Sequence, residues 1–142
     1  MERSTFVQQG SASRVVFGVG SADRLADELK AMGLGRALVL STPGQADLAK
    51  RVAQTLGQRA VGIFDQAAMH VPIEAARSAR ARAVQVGADC AVAVGGGSTI
   101  GLGKAIALES GLPIIALPTT LAGSEMTPIY GITEGGLKKT GR

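Results

Sequence analysis

The sequence predicts an α/β domain in which a mostly parallel β-sheet carries helices on both faces. Short apolar runs alternate with longer segments of helical period, the pattern that sets parallel strands beneath crossover helices. Apolar residues make up 46% of the 142 positions and aromatics only 3%, so the core must be built from Ala, Val, Leu and Ile. The apolar run Cys90-Ala-Val-Ala-Val94 empties into Gly95-Gly-Gly-Ser98 and then into a helical segment, which is a strand–turn–helix unit. A chain of this length forms one domain that buries roughly two thirds of its unfolded surface.

Thr5 to Gln8 and Arg14 to Phe17 read as two short opening strands. Gly18-Val-Gly20 turns the chain into a helix from about Ala22 to Met32, with Leu25, Leu29 and Met32 on one face and Gly33 and Gly35 ending it. Ala37 to Leu40 is a strand, and Ser41-Thr-Pro-Gly44 is its outgoing loop. The helix from about Gln45 to Leu56 repeats Leu48, Val52 and Leu56 every four residues, and Val61 to Phe64 is the next strand. After the loop Asp65 to Val71, Pro72 suits the first position of a helix reaching Val86. The glycine strand and its helix follow, then the strand Ile114 to Leu117, and Ile129 to Arg142 reads as a hairpin around Glu134-Gly-Gly136. These elements together describe a Rossmann-like sheet with N-terminal strands and a C-terminal β-hairpin added.

In an open parallel sheet, ligands bind outside the carboxyl ends of the strands. The loops leaving those ends are 41–44, 68–72, 95–99 and 118–125, all rich in Gly, Pro and hydroxyl groups. Three consecutive residues without Cβ let a ligand approach the main chain of Gly95, Gly96 and Gly97, and Ser98 suits the N-cap of the helix behind them. The free N–H groups of a first helical turn attract an anion such as a pyrophosphate. A tight βα turn would use the same glycines, and the pattern alone leaves both readings open. Gly101 and Gly103, inside the helix, each cost ~1 kcal/mol relative to Ala, which calls either for close ligand approach or for a packing reason. The segment is not a P-loop, because Ala105 follows Lys104 where a Ser or Thr should stand. Lys104 and the lone His70 remain candidate contacts. Thr119, Thr120, Ser124 and Thr127 would line the crevice edge, although turns and caps use the same residue types.

The formal charge is +4, but the cations are scattered and the group Arg77, Arg80, Arg82 lacks interleaved aromatics, which argues against a nucleic-acid partner. No apolar run approaches the ~20 residues of a membrane span, and Met1 to Val7 lack a signal-peptide core. With a single cysteine there is no internal disulfide, and a cytoplasmic setting follows most simply. One histidine without a carboxylate cluster gives no metal site within the chain, and no nucleophile–base pair is legible.

Gly95-Gly-Gly-Ser98 followed by Pro118-Thr-Thr120 and Gly123-Ser-Glu125-Met-Thr127 resembles the iron-containing alcohol dehydrogenase superfamily. Phe17-Gly-Val-Gly20, Ala37 to Asp47, Ala68-Met-His70 and Gly95 to Lys104 narrow the resemblance to the maleylacetate reductases, over essentially the whole chain. It implies an NAD(P)-binding domain over residues 1–142, with Ser41, Thr42, Gly95, Gly96, Gly97, Ser98, Thr119, Thr120, Ser124 and Thr127 about the cofactor. It also implies a helical carboxyl-terminal substrate domain beyond this chain, reduction of the dicarboxylate maleylacetate to 3-oxoadipate in aromatic-compound breakdown, and a homodimer at full length. Two departures separate the chain from the metal-dependent alcohol dehydrogenases, which usually carry Asp where Gly101 and Thr42 stand. Thr42 does not repel a 2′-phosphate, so both NADH and NADPH are expected. The alternatives are a metal-dependent alcohol dehydrogenase of the same superfamily and a nucleotide-binding module inactive in isolation.

Overall fold

The computed structural model describes residues 5–9 and 14–142, and places α/β architecture around a four-stranded parallel sheet. Residues 1–4, on which the reading of the amino end partly rests, lie outside the described residues. The first pair, β1 (Phe6–Gln9) and β2 (Arg14–Phe17), is antiparallel, with Phe6 and Phe17 stacked at 5.0 Å. A short 3-10 turn then leads into α1 (Leu25–Ala31), where a helix from Ala22 was expected. Leu25 and Leu29 are buried as the period requires, but Met32 sits at the C-cap and is half exposed. The helix has stopped before Met32 can turn inward, and Gly33 takes the left-handed conformation that ends it.

The central strands are β3 (Ala37–Leu40), β4 (Ala60–Phe64), β5 (Cys90–Gly95) and β6 (Ile114–Pro118), in the spatial order β4-β3-β5-β6 and all parallel. β3 and β5 are buried along their whole length because both have neighbours and both faces are covered. On one face Leu38, Leu40, Ala91 and Ala93 meet α3 (Ile73–Val86) and α4 (Gly97–Ser110). On the other face Ala37, Val39, Val92 and Val94 meet α1 and α2 (Ala46–Leu56). Helices on both faces of a parallel sheet are what the alternating pattern predicted. Pro72 is the N-cap of α3 rather than its first residue.

α4 differs from the other helices in being buried on nearly every side, from Thr99 through Ile106 apart from a half-buried Lys104. It lies between the sheet, α3 and the terminal hairpin of β7 (Tyr130–Glu134) and β8 (Leu137–Gly141). The hairpin turns where expected, with Gly135 and Gly136 both left-handed, as a two-residue type I′ turn needs. The arginines of α3 are engaged within the fold: Arg80 donates to Ala105 O at 3.0 Å and pairs with Glu109, and Arg82 donates to Gln85.

Cys90 opens β5 fully buried, and its enclosure pushes the thiol up to about 12, so it packs as a small apolar group. Next to it, burial raises the Asp89 carboxyl, but the Gly35 and Arg36 N–H donors, both at 2.9 Å, outweigh that and hold it below the ordinary carboxylate range. The folded state therefore favours the ionised form, a contribution present above about pH 4 and lost as pH falls through the folded-state value. Asp89→Ala should cost ~2 kcal/mol in urea denaturation at neutral pH. The difference from the parent should shrink on acidification; a constant difference from pH 7 to pH 3 would contradict this account.

Candidate functional site

The sheet order makes a switch point between β3 and β5. The chain leaves β3 for β4 on one side, crosses back to β5, and continues to β6 on the other. The crevice at the carboxyl ends of β3 and β5 is where an open α/β sheet takes its ligand. Thr42 leaves β3 there and Gly95 to Ser98 leave β5.

The glycine turn divides its three residues between two tasks. Gly95 has φ +154°, and a Cβ on it would stand 2.7 Å from both Gln45 Oε1 and Thr99 Oγ1; a Cβ on Gly96 would stand 2.9 Å from Thr120 Oγ1. These two glycines are required by close approach within the chain itself. At Gly97 the nearest atom is Ala122 Cβ at 4.0 Å, so its missing side chain leaves open space. The helix begins at Gly97, two residues earlier than Ser98 as N-cap implied, and Gly96 is the N-cap, with no side-chain capping bond. Two glycines complete the turn, which frees the third to enter the helix, as the Ile100 N–H bond to Gly96 O at 3.1 Å marks. α1, α2 and α3 each carry an acid in their first turn, whereas α4 carries none. Its uncapped donors and positive dipole end therefore face the crevice without an internal counter-charge.

The sequence-selected hydroxyl residues separate into three groups. Ser41 is fully enclosed and its hydroxyl donates to Thr42 O at 3.0 Å, which leaves Thr42 as the member of that pair at the crevice. Thr119 and Thr120 are exposed above the glycine turn, with Thr119 N–H bonded to Gly95 O at 3.0 Å. Ser124 opens a 3-10 turn and Thr127 closes it, exposed at the edge. Lys104 spends its three donors inside the protein, on Ser124 O at 2.7 Å, Ser124 Oγ at 3.0 Å and Ile129 O at 2.8 Å. Burial lowers its affinity for the proton, partly offset by Glu125, and its role here is to pin the 124–129 segment to α4.

A cleft of about 320 Å³ opens beside the α4 N-terminus, lined among others by His70, Ser98, Ser124, Tyr130 and Lys138. His70 and Ser98, far apart in sequence, thus share one cavity. Gln45, by contrast, was read only as the start of a helix. Its Nε2 donates to Thr119 Oγ1 at 3.1 Å, bridging the loops after β3 and β6 over Gly95. Lys138 and Thr133 were also missed; Gly131, a glycine inside a strand, was the available signal for close approach there. Among the described residues no three His, Cys, Asp or Glu side chains gather as metal ligands.

The fold has counterparts among known proteins. The chain is 64% identical over 139 residues to maleylacetate reductase of Burkholderia cepacia, covering 98% of this chain and 40% of that relative. It therefore spans about two fifths of the length of such relatives. The structure of maleylacetate reductase from Agrobacterium tumefaciens superposes with a TM-score of 0.92 at 51% identity, over 96% of this chain and 39% of that one. A sulfoacetaldehyde reductase from Bifidobacterium kashiwanohense, solved with NAD+, matches with a TM-score of 0.74 at 26% identity, over 85% of this chain and 38% of that one. The model of the iron-containing alcohol dehydrogenases matches residues 12–142, and the chain belongs to that family of oxidoreductases.

Proposed function

We propose that the chain is the NAD(P)H-binding domain of a reductase that converts maleylacetate to 3-oxoadipate in the breakdown of aromatic compounds. The observation that carries this reading is the open face of Gly97 at the switch point, beside α4 donors with no side-chain cap and no acid in the helix's first turn. A pyrophosphate laid on the backbone of Gly96, Gly97 and Ser98 meets donors and a favourable dipole. Thr42 stands by the adenosine end without a carboxylate, which suits NADH and NADPH alike. A bound nicotinamide cofactor supplies the hydride; the residues of this chain hold and orient it. The orienting groups are Thr119, Thr120 and the Ser124 segment that Lys104 fixes.

Hydride transfer requires the acceptor in near-attack geometry, and a second, helical domain supplies the opposite wall of the cleft in this proposal. The working form is a cytoplasmic homodimer acting on a small dicarboxylate, with no role for nucleic acid or membrane. The alternative of a metal-dependent alcohol dehydrogenase fits less well. A Cβ at Gly101 would meet Val71 Cγ2 at 2.7 Å, so the Asp usual at that position in those enzymes has no room.

The reading is tested by fluorescence titration of the chain with NADH and NADPH. Both should bind with affinities within about tenfold of each other, and Thr42→Asp should weaken NADPH at least ~10-fold more than NADH through carboxylate–phosphate repulsion. A polypeptide of the relatives' length should oxidise NADPH with maleylacetate, while the 142-residue chain turns over little. Absence of binding, or an unchanged preference in Thr42→Asp, would refute the assignment.

A further inference from the structure

His70 (φ 65°) and Val71 (φ 47°) are the non-glycine residues with left-handed backbone among the described residues. Such a conformation costs on the order of 1–3 kcal/mol per residue and persists only where its surroundings over-determine it. For a β-branched residue such as Val71 it is a true outlier. Thr133 holds both carbonyls: its Oγ1 donates to His70 O at 2.7 Å and its N–H donates to Val71 O at 2.9 Å. The buried Val71 side chain enters the space that the missing Cβ of Gly101 leaves. Glycine at position 70 would accept the same backbone at lower cost and asparagine about as readily, so the backbone does not call for a histidine there.

The device anchors Val71 and leaves His70, the one histidine in the sequence, exposed at the cleft. Lys138 lines the same cleft. Its stem lies over Gly131, where a Cβ would stand 2.5 Å from Lys138 Cε, and among the described residues it forms no ion pair, whereas Lys139 pairs with Glu134 at 3.7 Å. Among the described residues no carboxylate lines the cleft. A cavity furnished with an imidazole, an unpaired ammonium and the hydroxyl of Thr140, beside the turn proposed for the cofactor, suits a carboxylate.

We propose that His70 is a specificity-determining residue that, together with Lys138, holds one carboxylate of a dicarboxylate acceptor against this domain. The proposal rests on the reductase reading and adds the residues that select a dicarboxylate.

The test uses the 142-residue chain saturated with NADPH and titrated with maleate, followed by NMR. A single histidine gives one imidazole signal, so its assignment is unambiguous. That signal should shift saturably. His70→Asn, which tolerates the left-handed backbone, and His70→Gly should bind maleate at least ~10-fold more weakly, read from the Lys138 signals, and should keep NADPH affinity within about twofold. His70→Gly should also melt at a higher temperature than the parent, because the strain is relieved while the function is lost. A stationary imidazole signal, unchanged maleate affinity in His70→Asn, or a lower melting temperature in His70→Gly would each overturn the proposal. Failure of the parent chain to bind NADPH would instead refute the reductase reading itself.

Discussion

Gly97→Val is expected to abolish cofactor binding, lowering NADPH affinity at least ~100-fold, in a protein that still folds. Gly97 occupies the first position of α4, and a side chain there would contact only Ala122 Cβ, at 4.0 Å, so the valine methyls extend into the crevice. A pyrophosphate seated on this backbone would have to move outward by more than a van der Waals radius. It would then lose the N–H contacts that depend steeply on distance. Gly95 and Gly96 could not serve for this test, because side chains there would strike Gln45, Thr99 or Thr120 and disturb the fold as well. Fluorescence titration and a thermal melt together decide the matter. Retained affinity in a folded Gly97→Val protein would remove the pyrophosphate from this turn.

Gly101→Val should produce the largest loss of stability, ~3 kcal/mol or more. Its Cβ would stand 2.7 Å from Val71 Cγ2 at a buried position on the cleft wall, where the added methyl groups force a shift of side chain or backbone. The better helix propensity of valine over glycine recovers only a few tenths of a kcal/mol. Val71 cannot retreat, because both carbonyls of the His70–Val71 pair are tied to Thr133. Val71→Ala in the same protein should restore part of the loss by removing the colliding methyl, giving a favourable coupling in a double-mutant cycle. Urea denaturation of the two single variants and the double variant measures it. Equal stability of Gly101→Val and the parent would show that the helix shifts without cost.

These two glycines also indicate how far the sequence could be read. The strand–turn–helix unit was legible, since Cys90 to Val94 is an unbroken apolar run and Gly95 to Gly97 punctuate it. The helix interior glycines were ambiguous from sequence, because a ligand and a packed side chain both call for a missing Cβ. The structure gives them packing partners, Val71 at Gly101 and Ile114 at Gly103, where a Cβ would stand 3.1 Å from Ile114 Cγ2. Both partners lie in other elements, so no local pattern announced them. The start of α4 was misplaced because Ser98 is the stronger capping residue, while the geometry at Gly95 let Gly96 take that position. Strand order was likewise invisible: alternation fixes parallel strands but not that β5 lies between β3 and β6. Contacts carried by long side chains, such as Gln45 to Thr119 and Lys104 to Ile129, join segments whose proximity exists only after folding.

The enclosure of α4 has a consequence for how a bound ligand acts on the whole domain. The middle of α4, from Ile100 to Ile106, is packed against the sheet, α3 and the terminal hairpin and has no inexpensive local opening, so its amide protons are expected to exchange with solvent chiefly through global unfolding. In the proposed binding mode, the turn that holds the cofactor's pyrophosphate is the first turn of that same helix. A ligand seated there is released by every event that exposes the helix, and its binding free energy adds in full to the global unfolding free energy. Occupancy of the crevice thus sets the lifetime of the entire chain against proteolysis rather than the order of one loop.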